Sequence, residues 1–422
     1  MPEDIHWQKY SARYKTYPLD LEAGETAPGM VVCIPVYAEP DLIATMESLR
    51  ACALPEIQVE VILLFNMSSR MTEAEAETHR EAWLACLAWI NCHQQEGLKF
   101  RPVFMDALPD PRGGVGWARK MVLDAAARLL NQDGIMLCLD SDCTVMQNYL
   151  RVVYDYFQSH PACNAVSIYY EHNLEKLGQH EKQAIMQYEL HLRYLVHAMR
   201  WAGHPFAFQT VGSSMAVRRK GYLSHGGMNT RQAGEDFYFL QKFIEVDSLL
   251  EITGTTVFPS SRISHRVPFG TGRAMSKLLP GDAPWMTGDF EVFMLIKPLF
   301  HQIDELRKHC GHSGANANIS DVIDGLRLHP GIIAFLGEID FPEHCKEIAM
   351  HTSGAISFRR RFFRYFNSFM MIRYMHYMRD HFLPDVSIEQ AANELTQMTY
   401  ADAPPDMSME EILIHFRNLD RQ

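Results

Sequence analysis

The sequence lacks the features that mark secreted and membrane-spanning proteins. Its nine cysteines form no C-x-x-C pair and have no regular spacing, which argues against a disulfide framework. No basic segment followed by an apolar one opens the chain, so we expect no secretory signal. Apolar runs such as residues 59–65 stop within about seven residues, far short of the roughly 18 that a membrane span needs. We therefore expect a cytoplasmic protein, at most peripheral to the inner face of the membrane.

Positive charge is also scarce. Lys and Arg number 39 against 51 Asp and Glu, which gives a net charge of −12. A chain with this balance does not present a surface suited to a polyphosphate backbone, so we expect no nucleic-acid partner. With 422 residues, 47% of them hydrophobic and 21% charged, the chain can bury a large core.

Apolar runs and helical patterns alternate between residues 30 and 170. This alternation predicts an α/β fold with a parallel sheet of strand-helix-strand units, the strands lying at 30–36, 59–65, 99–105 and 135–139. Pro40 is expected in the first turn of a helix, and Thr72 and Glu75 form a capping box that opens another. The apolar side of that second helix is predicted to contain Trp83, Leu84, Leu87 and Ile90.

The pattern changes after residue 170. It becomes α+β, with a long helix at about 178–202 and a strand near 211–217, and then mostly helical from about residue 283. We therefore predict an N-terminal extension at 1–29, a domain at 30–275 and a mostly helical region at 276–422. Within the last, residues 358–379 combine six arginines with aromatic side chains, among them Phe358, Phe362, Phe363 and Tyr374, and end at Arg379. This stretch contacts anionic lipid or a lipid-linked acceptor, or it is an amphipathic helix that packs its aromatics on the catalytic domain.

Three segments carry chemistry-bearing side chains. Asp140-Ser141-Asp142 follows a predicted strand, at the edge where open α/β sheets bind ligands, and its two carboxylates suit one hard divalent cation. The alternative is a turn in which Asp142 caps a helix. Gly234-Glu235-Asp236 begins a helix, where the acids either compensate the helix dipole or supply a general base. Residues 261–266 (SRISHR) suit the binding of a phosphate group, and the alternative is an exposed basic loop. Gly270 and Gly272 predict a mobile lid over 267–277, and the alternative is an ordered surface loop.

These segments resemble, in order, the motifs of the family 2 glycosyltransferases, whose nucleotide-sugar domain has the GT-A fold. Residues 32–39 (VCIPVYAE) look like the family's opening strand. Residues 114–120 (GVGWARK) are similar to its Gly-x-x-x-x-Ala-Arg-Asn segment, with Lys120 in place of Asn. Residues 139–142 (LDSD), 212–219 (GSSMAVRR) and 234–236 (GED) resemble its D-x-D motif, acceptor-side strand and Glu-Asp motif. The resemblance covers about residues 30 to 270.

The resemblance implies roles for the matching residues and a Mn²⁺ or Mg²⁺ cofactor. The base that takes the acceptor's proton would be Asp236, with Glu235 in reserve. The metal would be held by Asp142, Asp140 and His265. Where most members have Asp-Asp-Gly-Ser, this chain has residues 66–69 (NMSS), so the identity of the donor's base stays open. The nucleotide-sugar site implied in this way comprises Pro35, Tyr37, Glu39, Asn66, Arg119, Asp140, Ser141 and Arg266.

Three other classes fit part of the pattern. A dinucleotide-binding oxidoreductase should have G-x-G-x-x-G after the first strand, and the third glycine position of residues 113–119 is Arg119. A metal-dependent nucleotidyltransferase gives no account of residues 234–236, and a non-catalytic sugar-binding or scaffold protein would usually have lost one acidic motif. We therefore expect an enzyme that transfers a sugar from a nucleotide-diphosphate sugar to a hydroxyl of a saccharide or lipid-linked acceptor, with inversion by direct displacement.

Overall fold

The chain forms two compact units. The computed structural model describes residues 4–22, 24, 26–106, 114–264, 270–279, 281, 283–312, 327–400, 403–405 and 407–422. The sheet unit consists of Met1–Lys182, Thr210–Lys277 and Asp420–Gln422. The helical unit consists of Gln183–Gln209 and Leu278–Leu419.

The sheet unit is built on an eight-stranded, mixed sheet. The order across it is β3-β2-β1-β4-β7-β6-β8-β5. Strands β3, β2, β1 and β4 run parallel, and β7 is antiparallel to both its neighbours. The strands are β1 (Met30–Val36), β2 (Val59–Asn66), β3 (Leu98–Met105), β4 (Ile135–Cys138), β5 (Thr144–Val145), β6 (Ala165–Tyr170), β7 (Met215–Arg218) and β8 (Leu249–Phe258). The predicted α/β class and mainly parallel sheet are confirmed.

Helices flank this sheet. The central strands are buried, with β2 covered along its whole length and β1 everywhere except Pro35, which is why both read as apolar runs. The helices are α1 (Ile5–Arg13), α2 (Leu42–Arg50), α3 (Glu73–Cys92), α4 (Val115–Leu129), α5 (Tyr149–Ser159), α6 (Gln179–Ala202, mostly in the helical unit), α7 (Arg219–Ser224), α8 (Glu235–Ile244) and α9 (Thr271–Leu278).

Helices α2 and α3 differ in detail from the sequence prediction. Pro40 lies before α2 instead of in its first turn, because the Glu39 carboxylate accepts the Asp41 backbone N–H at 3.0 Å and turns the chain there. The capping box of α3 is present, but the predicted apolar side is wrong, since Leu84 is 64% exposed. The buried residues of α3 are Ala76, His79, Ala82, Cys86 and Trp89.

Two segments near the carboxyl edge of the sheet also differ from expectation. The strand predicted near 211–217 begins only at Met215, after a turn at 212–214. The lid predicted over 267–277 lies partly outside the described residues. From Thr271 onward the chain is helix α9, with Ala274 and Met275 buried, so this part is an anchored helix instead of a loop.

The C-terminal region is mostly helical, as predicted, but the helical unit also includes Gln183–Gln209, which lies outside the predicted bounds of 276–422. Phe358, Phe362 and Phe363 point into its core, and the six arginines of residues 358–379 are exposed. None of the described helices combines the length and apolar character needed to cross a lipid bilayer. Besides the short strands β9 (Met286–Thr287) and β10 (Val386–Ser387), the described elements are α10 (Phe290–His301), α11 (Ile303–His312), α12 (Pro330–Glu338), α13 (Phe341–Met350), α14 (Ala355–Tyr365), α15 (Ser368–His381), α16 (Ile388–Thr399) and α17 (Met409–Asp420).

Candidate active site

The segments predicted to bind ligand meet at one edge of the sheet. Strands β1, β2 and β4 are parallel neighbours, so the residues that follow Val36, Asn66 and Cys138 emerge on the same side. The turn at 212–214 joins them, because β7 runs antiparallel to β4 and begins where β4 ends. This is the carboxyl edge at which open α/β sheets bind their ligands.

A buried arginine connects the two acidic motifs. Arg119 on α4 is 3% exposed, and its guanidinium forms ion pairs with Asp140 after β4 and with Glu235 at the start of α8. Gly212 packs against the Arg119 guanidinium, which a Cβ at this position would overlap. The same Cβ would lie only 2.8 Å from Asp236 Oδ2. Glycine at 212 therefore permits the close approach of Arg119 and Asp236.

The two acids of α8 occupy different surroundings. Gly234 precedes them in the left-handed conformation, with φ of 70°, and turns the chain into the helix. Glu235 is 2% exposed and faces Arg119, whereas the side chain of Asp236 is only partly buried. Burial raises the pKa of Glu235 to about 7 and also raises the pKa of Asp236, while the Arg119 charge opposes both shifts. Of the two residues, Asp236 is the less buried.

The D-x-D segment forms a tight turn, with its two acids outward. Cys143 donates its backbone N–H to the Asp140 carbonyl at 3.1 Å, and the Thr45 hydroxyl donates to the Ser141 carbonyl at 2.9 Å. Asp140 and Asp142 are 39% and 32% exposed at their side chains, whereas Ser141 is buried. Asp142 caps no helix, because β5 follows the turn directly.

Glu39, which the resemblance places at the nucleoside, points into the protein. Its carboxylate is fully buried and forms an ion pair with Arg262, which follows β8. Arg262 also lies 3.3 Å from Asp41 and 3.8 Å from Asp142. Arg262 belongs to the basic segment noted in the sequence, although the resemblance pointed to Arg266 as the phosphate ligand. Pro35 and Tyr37, on either side of Val36, are partly exposed.

His79 is a residue of the site that the sequence prediction missed. It is fully buried on α3, and its Nδ1 accepts the backbone N–H of Ala38 at 3.1 Å. Ala38 has φ of 45°, so this hydrogen bond holds a strained turn between Tyr37 and Glu39. Burial lowers the pKa of His79 to about 4, which keeps Nδ1 an acceptor at neutral pH. Placing His79 on the buried side of α3 would have revealed it.

Asn66 is the last residue of β2, at the carboxyl edge of the sheet. It is 4% exposed, and its Oδ1 has no hydrogen-bond partner among the described residues. A buried acceptor without a partner costs stability unless a ligand satisfies it.

The donor set suits a hard divalent cation. Asp140 and Asp142 both reach solvent, and carboxylate oxygens are the ligands that Mn²⁺ and Mg²⁺ prefer. Over the described ranges, no three His, Cys, Asp or Glu side chains converge as a metal site. The predicted third ligand, His265, and the predicted phosphate ligand, Arg266, lie outside the described residues.

Residues 31–225 match the model of the family described as glycosyl transferase family 2. Residues 31–225 are thus similar to the family 2 glycosyltransferases, as the sequence motifs implied. No curated protein matches the chain in sequence.

Solved structures of glycosyltransferases are similar to the chain. Against S. aureus TarS 1–349 the identity is 16%, the TM-score is 0.34, and 55% of this chain and 60% of that chain are covered. Against the same protein in complex with UDP-GlcNAc, the values are 15%, 0.38, 64% and 65%. Against the mannosyltransferase PcManGT from Pyrobaculum calidifontis in complex with GDP-Man and Mn²⁺, they are 12%, 0.35, 99% and 93%. The chain thus spans about 60% of the first of these structures.

Proposed function

We propose that the protein transfers a sugar from a nucleotide-diphosphate sugar to a hydroxyl of a saccharide or lipid-linked acceptor, with inversion at the anomeric carbon. The observation that carries the proposal is the meeting of Asp140, Glu235 and Asp236 around Arg119 at the carboxyl edge of the sheet. A metal-dependent nucleotidyltransferase gives no account of the acidic pair on α8, so this pair favours sugar transfer.

Asp236 is the proposed general base. The residue is partly exposed, and burial of its carboxyl group raises its pKa, which makes it a stronger proton acceptor than an ordinary aspartate. It would take the proton of the acceptor hydroxyl as the oxygen attacks the anomeric carbon on the face opposite the nucleoside diphosphate. Arg119 forms ion pairs with Glu235, which precedes Asp236, and with Asp140 of the D-x-D segment. The two acidic motifs are therefore positioned by the same positive charge.

Asp140 and Asp142 are the proposed ligands of Mn²⁺ or Mg²⁺, with His265 as the third. The bound cation would neutralise charge on the departing diphosphate. Asn66 and Tyr37 are proposed to contact the nucleobase of the donor. Glu39, which forms an ion pair with Arg262, is proposed to fix the turn that presents them.

The test begins with binding. UDP- and GDP-sugars are screened for an increase in Tm with and without Mn²⁺, because a ligand of the native state stabilises it. Asp142→Ala should abolish most of the Mn²⁺-dependent increase while the Tm without ligand is kept, and Asp155→Ala, which removes an exposed carboxylate on α5, serves as the control. Unchanged metal dependence in Asp142→Ala would remove this residue from the metal site.

Turnover is then measured with the donor that binds. Asp236→Asn should leave donor affinity near normal and lower kcat by a factor on the order of 10² to 10⁴, because the amide cannot accept a proton. Wild-type turnover in Asp236→Asn together with an inactive Glu235→Gln would transfer the role to Glu235. Release of the sugar 1-phosphate in place of the nucleoside diphosphate would identify a nucleotidyltransferase instead, because that group leaves when the α-phosphorus of the donor is attacked.

A further inference from the structure

The N-terminal helix α1 is joined to the sheet unit through a buried polar network. Tyr10 is 2% exposed; its hydroxyl donates to Asp124 Oδ1 at 2.7 Å and accepts from Lys120 Nζ at 3.0 Å. Lys120 also donates to Asp124 Oδ2 at 2.9 Å, and the Tyr222 hydroxyl donates to Oδ1 at 2.7 Å. Three elements, α1, α4 and α7, therefore share one buried carboxylate.

This network lies directly beside the arginine of the site. Lys120 follows Arg119 on α4, and consecutive helical residues project in directions about 100° apart. Tyr10 and Asp124 therefore fix one face of α4, while Arg119 reaches Glu235 and Asp140 from an adjacent face. Rotation of α4 would disturb both sets of contacts together.

A second path runs from α1 to the start of α8. Gly227 has φ of 64°, and a Cβ there would overlap the Tyr10 hydroxyl, so the turn at 226–227 lies against α1 without any intervening side chain. The Gly227 carbonyl accepts from Lys242 Nζ of α8 at 2.8 Å. Two residues on, Asn229 Nδ2 donates to the Glu235 carbonyl at 2.9 Å. The chain from Gly227 to Asn229 thus contacts Tyr10 of α1, Lys242 near the end of α8 and Glu235 at its start.

We propose that Tyr10 is a positioning residue for Glu235 and Asp236, acting through Lys120 on α4 and through the turn at 226–227. Only the expected effect on kcat rests on the proposed function, because the contacts themselves do not depend on it. Residues 1–29, which the sequence separates as an extension, then contribute α1 to the support of the active site. The competing explanation is that α1 only adds stability to the sheet unit.

Amide hydrogen exchange of the full-length chain separates these explanations without any donor. Tyr10→Phe removes one hydroxyl and keeps the ring, and it should raise exchange at residues 228–237 by about tenfold through local opening. Tyr14→Phe is the matched control, since Tyr14 directly follows α1 and lies against Gly226. Lys242→Met tests the turn independently of α1 and should raise exchange in the same residues. Exchange at 228–237 unchanged in Tyr10→Phe would overturn the proposal.

Kinetics supply the second readout. At a temperature well below the Tm, Tyr10→Phe should lower kcat about three- to tenfold, while the affinity for Mn²⁺ with UDP, and for Mn²⁺ with GDP, stays unchanged. A stabilising role alone would lower the Tm and leave kcat of the folded protein intact, which would also overturn the proposal. If exchange changes as expected but no donor is turned over by the wild type, then the proposed function fails while the structural coupling stands.

Discussion

A single buried guanidinium balances the acids of the candidate site. Arg119 carries one positive charge and lies among the carboxylates of Asp140, Glu235 and Asp236. Removing one partner of a buried ion pair leaves the other charges without compensation, which costs more than the pair contributes when intact. The arginine therefore has to be present before these three acids can be gathered in one place.

Arg119→Met should destabilise the protein more at alkaline than at acid pH. Without the guanidinium, the pKa of Glu235 rises further above its unfolded value, so the folded state resists ionisation. The penalty is small below about pH 4.5, where the carboxyl is protonated in both states, and grows as the pH rises through 7. We expect a loss of about 3 to 5 kcal/mol at pH 8 and clearly less at pH 5.

Urea unfolding at the two pH values measures this difference. Arg151→Met is the control, because the Arg151–Asp155 pair on α5 is exposed and should contribute little at either pH. A loss in Arg119→Met that is the same at pH 5 and pH 8 would contradict the assigned role of Arg119 as the counter-charge of Glu235.

The sequence predicts the positions of those residues that belong to local motifs. Asp140 and Asp142 are in the turn that follows β4, and Asp236 is in the first turn of α8, as their motifs predict. Glu39 points inward and pairs with Arg262. These two residues are more than 200 positions apart, so no local sequence pattern could predict their contact. His79 was missed because a lone histidine carries no signal until the rotation of its helix is known.

Among the elements, α3 shows most clearly where prediction from pattern succeeds and where it fails. Its start was predicted correctly because Thr72 and Glu75 satisfy each other's backbone N–H groups, a purely local interaction. Its buried side was predicted wrongly because small and polar residues such as Ala82 and His79 pack on the sheet, while Leu84 faces solvent. Strands β1 and β2 were predicted well because burial on both faces makes them continuous apolar runs.

Thr72→Ala tests how much the cap contributes to α3. The hydroxyl of Thr72 accepts the Glu75 backbone N–H at 3.2 Å, and Glu75 accepts the Thr72 N–H at 2.8 Å. Loss of this cap should reduce the free energy of unfolding by about 1 kcal/mol. Thr78→Ala, which removes a hydroxyl bonded only to the Ala74 carbonyl on the exposed side, should cost less. Equal effects of the two substitutions in chemical denaturation would show that the cap contributes nothing specific.

Helices α14 and α15 show how an arginine-rich, aromatic stretch folds. Phe362 packs on Phe341, and Phe363 on Phe300, with ring centroids 5.9 and 5.4 Å apart, all within the helical unit. The arginines stay outside, and two of them pair with acids of other helices, Arg359 with Asp304 and Arg373 with Glu338. The aromatic residues are thus accounted for by the core of this unit.

For the whole molecule, the division into two units depends on contacts that are distant in sequence. Gln183–Gln209 belongs to the helical unit although it lies between two parts of the sheet unit. In the helical unit, Glu189 is fully buried and pairs with both Arg193 and Arg417, at 2.8 and 2.7 Å. The sequence predicts a long helix at about 178–202. The unit to which this helix belongs depends on a partner more than 200 residues away, which periodicity cannot reveal.

Each unit contains a buried histidine whose Nδ1 accepts a backbone N–H. In the sheet unit, Nδ1 of His79 accepts the Ala38 N–H; in the helical unit, Nδ1 of His204 accepts the Phe206 N–H at 3.2 Å and Nε2 lies 2.8 Å from the Phe366 carbonyl. Protonation would turn each acceptor into a donor facing another donor. Burial lowers the pKa of both histidines to about 4, below the unfolded value of 6.5.

Stability should therefore fall as the pH is lowered from 6.5 to 4. In this window the unfolded chain binds a proton at each of these histidines and the folded chain does not, so acid favours unfolding, by an amount on the order of 2 to 3 kcal/mol for His204 at pH 4. His204→Gln should reduce the slope of unfolding free energy against pH between 6.5 and 4.5, whatever its effect on stability at pH 7. His376→Gln, at an exposed position of α15, should leave that slope unchanged. If both variants keep the wild-type slope in urea titrations, then His204 is not the source of the acid sensitivity, and its neutral, doubly hydrogen-bonded state does not hold in solution.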